Sequence, residues 1–136
     1  MSGKKTHVAV GEIFGLPLVG LTYYFFSSEQ NYFMLALILV ASFVCIFIGA
    51  ILPDLIERPT NPDHRKFFHS WFIFAVSFIA CFVMAFVVIP LYDQHFYVYP
   101  IFGFCFGYFS HLLLDSTTKR SLTWSILITI RFFVWF

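Results

Sequence analysis

The stretch YFMLALILVASFVCIFIGAIL, residues 32–52, contains no Asp, Glu, Lys, Arg or His, and its reading decides the fold class. As an α-helix it rises about 30 Å, the thickness of a bilayer's hydrocarbon core. Lipid offers no water to backbone N–H and C=O groups, so such a segment must satisfy them internally, as a helix does. Three comparable runs flank it. Residues 8–26 are interrupted by Glu12 and Pro17, residues 67–91 carry only His69 as a chargeable interruption, and residues 98–114 hold His111 near their end. Each is roughly 17–25 residues, enough for one crossing. A fifth run, 122–136, contains Arg131 and is short for a span, so it is expected to lie at the interface or cross incompletely.

Composition agrees with this. Of 136 residues, 60% are hydrophobic and 11% charged, against about 25% charged in a soluble domain. Phe alone occurs 21 times, and a soluble chain of this size could not hide so much apolar surface. A cytosolic globule, a disordered tail and a disulfide scaffold are excluded. The net charge of +1 offers no field for nucleic acid. Cys45, Cys81 and Cys105 all lie in apolar runs without metal-type spacing and read as small apolar residues. The first run follows Lys4 and Lys5 without a convincing cleavage site after it, so it is expected to be retained. The expected fold is all-α: one integral membrane domain over 1–136, a polytopic bundle of about four spanning helices plus a short C-terminal apolar helix.

Basic residues set the expected orientation. Lys4 and Lys5 precede the first run, Arg58, Arg65 and Lys66 separate the second and third, and Lys119 and Arg120 follow the fourth. The connections 27–31 and 92–97 contain neither Lys nor Arg. The positive-inside rule therefore puts the N-terminus in the cytoplasm, with a bacterial or archaeal plasma (inner) membrane as the default setting.

On that topology His7, Glu12, Asp54, Glu57, Asp63, His64, His69, His111 and Asp115 gather at the cytoplasmic side, leaving Glu29, Asp93 and His95 opposite. Loop carboxylates and histidines are ordinarily just solvated. Ionisable residues within apolar sequence are costly there and are functional candidates by default. His111 and Asp115 stand at i and i+4, on one helix face, where they can chelate one metal or the Asp can orient the His. Gly103, Gly107, His111 and Asp115 recur every fourth residue, as do His7, Gly11 and Gly15. If these small faces of two antiparallel helices pack together, His7 meets His111 at one depth; the lesser alternative is ordinary glycine packing with His7 as a snorkelling cap. Pro53, Pro59 and Pro62 are expected to end the second helix near Leu52 and leave Asp54 just past it, at the membrane surface. His64 and His69 bracket the start of the third helix. His69, inside the apolar run, is the favoured ligand, while Asp63 and Ser70 suit capping or supporting roles.

The ordered set ILPD (51–54), HRKFFHS (64–70) and GYFSHLLLD with Ser116–Thr118 (107–118) resembles the YdjM-like inner-membrane metal-dependent hydrolases. Those proteins show an N-terminal His, then LPDxD, HRxxTHS and GYxSHxxxDxxT segments, and the order holds over residues 7–118. The family is held to be distantly similar to zinc-dependent phospholipase C. The resemblance implies His7, Asp54, His69, His111 and Asp115 as metal ligands, with His64 and Arg65 near the substrate. There are departures. The second Asp is replaced by Ile56, with Glu57 one position on, the Thr before the second His is Phe68, and Lys119, Arg120 and Ser121 stand where a glycine-rich stretch is expected. Glu12, Glu57 and His64 are further candidate ligands.

The leading expectation is a membrane-bound hydrolase using one or more divalent metals. Mixed His and carboxylate ligands suit Zn²⁺, with Mn²⁺ and Fe²⁺ as alternatives. Asp54 or Asp115 would bridge metals or accept a proton, and Arg65 would hold an anionic group. The partners expected are membrane lipids and a lipid-linked ester or phosphoester. Nucleophilic catalysis by Ser70 or Ser110 lacks a base-and-orienter constellation. The rival readings are a non-enzymatic metal or proton carrier, for which Glu12 argues, and an inactive scaffold that retains the motifs.

Overall fold

The structure is a computed structural model that describes residues 4–28, 30–56, 71–93 and 95–117. Among these residues the secondary structure is entirely helical. In chain order the helices are α1 (Lys4–Phe26), α2 (Tyr32–Ile56), α3 (Trp71–Tyr92) and α4 (Val98–Thr117). The first three are long and apolar enough to cross a membrane. α4 has 20 residues but carries Ser110, His111 and Asp115, and packs against all three other helices. Large apolar side chains such as Phe33, Val40, Phe47, Phe78, Ile79 and Phe86 point outward, a surface that water would not tolerate and lipid does.

The bundle has two unlike halves. Val19, Tyr23, Ile38, Cys81, Ile89, Val98, Tyr99 and Phe102 form an apolar cluster where α1 and α3 end and α2 and α4 begin. The buried histidines and carboxylates His7, Asp54, His111 and Asp115, with Ser110 beside them, lie in the other half. At the apolar end, Asn31 Oδ1 accepts from Phe33 and Met34 N–H (2.9 and 3.3 Å), capping α2. Asp93 accepts from the Ser28 N–H at 3.0 Å and so ties the two turns together.

The tightest pairing is α2 with α4. A Cβ on Gly49 would run into the Phe104 carbonyl oxygen, and one on Gly107 into that of Ile46, so only glycine lets these backbones approach. The glycine stripes therefore pack differently from expectation. They do not face each other alone: Ile46 of α2 wedges between them, touching Gly11, Gly15 and Gly103.

Helix ends also correct the sequence reading. α1 begins at Lys4, placing His7 within the helix. α2 does not stop at Leu52 but runs through Pro53 to Ile56, so Asp54 is helical. A proline near a helix end forfeits one backbone bond, a loss that packing against a neighbouring helix outweighs. α4 continues to Thr117, keeping Asp115 on the same helix as His111. In α3, residues Met84–Val88 widen into a π-turn, with Ile89 N–H donating to Met84 C=O. Pro90 accounts for this, since its ring crowds the carbonyl four residues back. The start of the third run (67–70) and the fifth run (122–136) lie outside the described residues.

Candidate metal centre

His7 reaches the site from the second turn of α1, Asp54 from the end of α2, and His111 and Asp115 from successive turns of α4. Each arrives by a different local cause. Gly11, one turn after His7, holds α1 close to Ser110, Ile46 and Ala50. Continuation of α2 past Pro53 carries Asp54 one turn beyond Ala50. The i, i+4 spacing stacks His111 beneath Asp115.

The four side chains meet out of water. His111 is fully buried, and His7 and Asp115 keep 2% and 5% of their surface. His7 Nε2 lies 3.5 Å from Asp115 Oδ1, and His111 Nε2 lies 3.5 Å from Asp115 Oδ2 and 3.7 Å from Asp54 Oδ1. The two imidazoles stack with centroids 4.1 Å apart and planes at 25°. His111 Nδ1 lies 2.6 Å from the Ala50 carbonyl oxygen. A carbonyl only accepts, so Nδ1 carries the proton and donates, and Nε2 is the nitrogen turned to the carboxylates. Metal-binding histidines are commonly oriented in this way.

These atoms fit a divalent cation. Nitrogen-to-oxygen gaps of 3.5–3.7 Å are long for direct hydrogen bonds. Two ligand atoms on a tetrahedral Zn²⁺ at its usual bond lengths stand about 3.4 Å apart. One ligand atom each from His7, His111 and Asp115 lies within 4.8 Å of the others. The same atoms also form a buried His–carboxylate ion-pair network, in which a protonated imidazole would be the cation. Either way, an ionised carboxylate as enclosed as Asp115 calls for a positive partner.

The other predicted residues separate. Glu12 sits in α1 and does not join the cluster. Glu57, His64, Arg65 and His69 lie outside the described residues, as do Asp63 and Ser70. Ser110 is buried and donates its hydroxyl to Gly107 C=O at 2.9 Å, a local helix bond. Cys45, Cys81 and Cys105 are free thiols. Sequence reasoning missed the Ala50 carbonyl, since a backbone acceptor has no side-chain signature. Gly49, beside it, was the one available signal.

Neither the curated proteins nor the solved structures give a match to this chain. The family model described as YdjM inner membrane protein does match, over residues 1–127. That range takes in all four helices and every residue of the His–Asp cluster, so the chain, a membrane protein by its apolar helices, belongs to the YdjM inner membrane protein family.

Proposed function

We propose that this protein is a membrane-embedded, metal-dependent hydrolase that cleaves a phosphoester or other ester of a membrane-associated substrate at the cytoplasmic face. The carrying observation is the convergence of His7, His111 and Asp115, with Asp54 beside them, from three helices into one buried cluster. In this reading α4, 20 residues long, is a fourth span antiparallel to α1. The cytoplasmic assignment is supported by Lys4, Lys5, Arg58, Arg65, Lys66, Lys119 and Arg120, which all fall in segments at the end of the chain's helices that carries the cluster.

His7, His111 and Asp115 would hold the metal, Zn²⁺ by donor type, and Ala50 C=O would fix the His111 tautomer. A bound metal of this kind supplies an acidified water and polarises the scissile group. Asp54, the most accessible of the four side chains, is the carboxylate placed to accept a proton. Arg65 and His64 take the substrate's anionic group in this scheme, as a planar guanidinium suits phosphate oxygens. A site at the headgroup level favours a substrate carried by lipid.

The experiment is hydrolysis of a set of phospholipid and polyprenyl-phosphate esters by detergent-purified protein, with and without added zinc. Zinc-dependent turnover that Asp54→Asn abolishes while zinc remains bound supports the proposal. A folded, zinc-loaded protein that turns over no ester in the set contradicts it.

A further inference from the structure

Glu12 is an acid within an apolar helix that the proposed chemistry does not use. It follows His7 by five residues, about 7.5 Å along α1 and about 140° around it, so it occupies a flank rather than the glycine face. The residue is half-buried, yet both of its carboxylate oxygens are fully enclosed, and among the described residues neither has a hydrogen-bond partner.

The described residues offer Glu12 no counter-charge. Among the described residues the only Lys or Arg are Lys4 and Lys5, and exposed Lys5 sits about 10 Å further along the axis. The titratable groups of α2 are Tyr32, Cys45 and Asp54. Those of α4 are Tyr99, Cys105, Tyr108, His111 and Asp115, and α3 contributes Cys81 and Tyr92. The imidazoles of His7 and His111 are turned to Asp115 and Asp54. An ionised carboxylate enclosed without donors is far costlier than a neutral acid.

We propose that Glu12 is a proton-binding site of the bundle: a carboxyl on α1 that keeps its proton at neutral pH, separate from the metal centre. Loss of the proton would drive the charged head out of its enclosure, so proton occupancy and the packing of α1 in the bundle are linked. Gln, neutral and of the same shape, reproduces the protonated form. The proposal stands on the enclosure of Glu12 and not on hydrolysis.

Infrared spectroscopy of the full chain in lipid nanodiscs at neutral pH tests it. The expected result is a carboxylic-acid carbonyl band that shifts in D₂O, disappears in Glu12→Gln and persists in Asp115→Asn. Absence of the band, or its survival in Glu12→Gln, overturns the proposal. Disappearance of the band on adding sodium chloride would assign the site to a metal cation instead and also overturn it. Should Glu12→Gln fail to fold, a lipophilic carbodiimide applied to the wild-type chain decides: an adduct on the Glu12 peptide supports a protonated acid, and an unmodified peptide refutes it. Zinc content is expected to be equal in wild type and Glu12→Gln, which separates this test from that of the metal centre.

Discussion

Replacing Gly49 by Ala is a sharp perturbation, because it touches no candidate ligand and yet must disturb the site. An added Cβ collides with the Phe104 carbonyl oxygen and comes within 3.0 Å of Tyr108 N and 3.2 Å of Phe104 C, all rigid backbone. α2 and α4 must then separate by roughly 1 Å, an overpacking strain of about 1–3 kcal/mol. Ala50 is the next residue, so the 2.6 Å bond from His111 Nδ1 to its carbonyl would stretch beyond hydrogen-bond range. Losing such an orienting bond costs about 10–100-fold in metal affinity, or roughly 1.4–2.8 kcal/mol. The assay is competition for zinc against a chromophoric chelator in detergent, with thermal unfolding measured alongside. Gly20→Ala is the control, since a Cβ there meets only Leu39 Cδ2 at 4.0 Å. Its affinity is expected to match wild type. Wild-type zinc affinity in folded Gly49→Ala, or an equal loss in Gly20→Ala, would refute the reasoning.

Other substitutions probe separate parts of the account. Asp115→Asn keeps the shape but removes the charge shared by His7 and His111, and is expected to lower zinc affinity by at least 10-fold in the same competition assay. His7→Ala removes one of the proposed ligands and the partner of the imidazole stack, so bound zinc should fall well below stoichiometry by elemental analysis. Adding a chelator to the zinc-loaded protein should lower its thermal midpoint, because a metal present at about 100 times its Kd contributes about 2.7 kcal/mol to the native state. Asn31→Ala removes the α2 cap at the far end and should cost about 1 kcal/mol in thermal unfolding, with zinc affinity unchanged.

Much of the fold was legible because lipid simplifies the problem. An uncharged run of about 20 residues has essentially one backbone solution, and residues 32–52 and 98–114 each fall inside a helix as expected. Helix ends were less legible. Proline rules drawn from helix interiors placed the end of α2 at Leu52, but close packing of α2 on α4 carries the helix on to Ile56. The meeting of His7 and His111 followed from two four-residue stripes and an antiparallel layout. Ile46 as the wedge between those stripes did not, because interdigitation depends on side-chain shape across two other helices. The Ala50 carbonyl was hidden for a simpler reason: every residue has one, and only the depth of Gly49 against Phe104 selects it.

The central claim is that the buried His–Asp cluster is a metal site and not only an ion-pair network. Elemental analysis of the purified chain tests this most directly, set beside a His111→Ala/Asp115→Ala variant shown by circular dichroism to be folded. Stoichiometric metal, with zinc foremost, is expected in the wild type and its loss in the variant. A folded wild-type chain that stays metal-free when dialysed against excess zinc, or a variant that retains the metal, would contradict it.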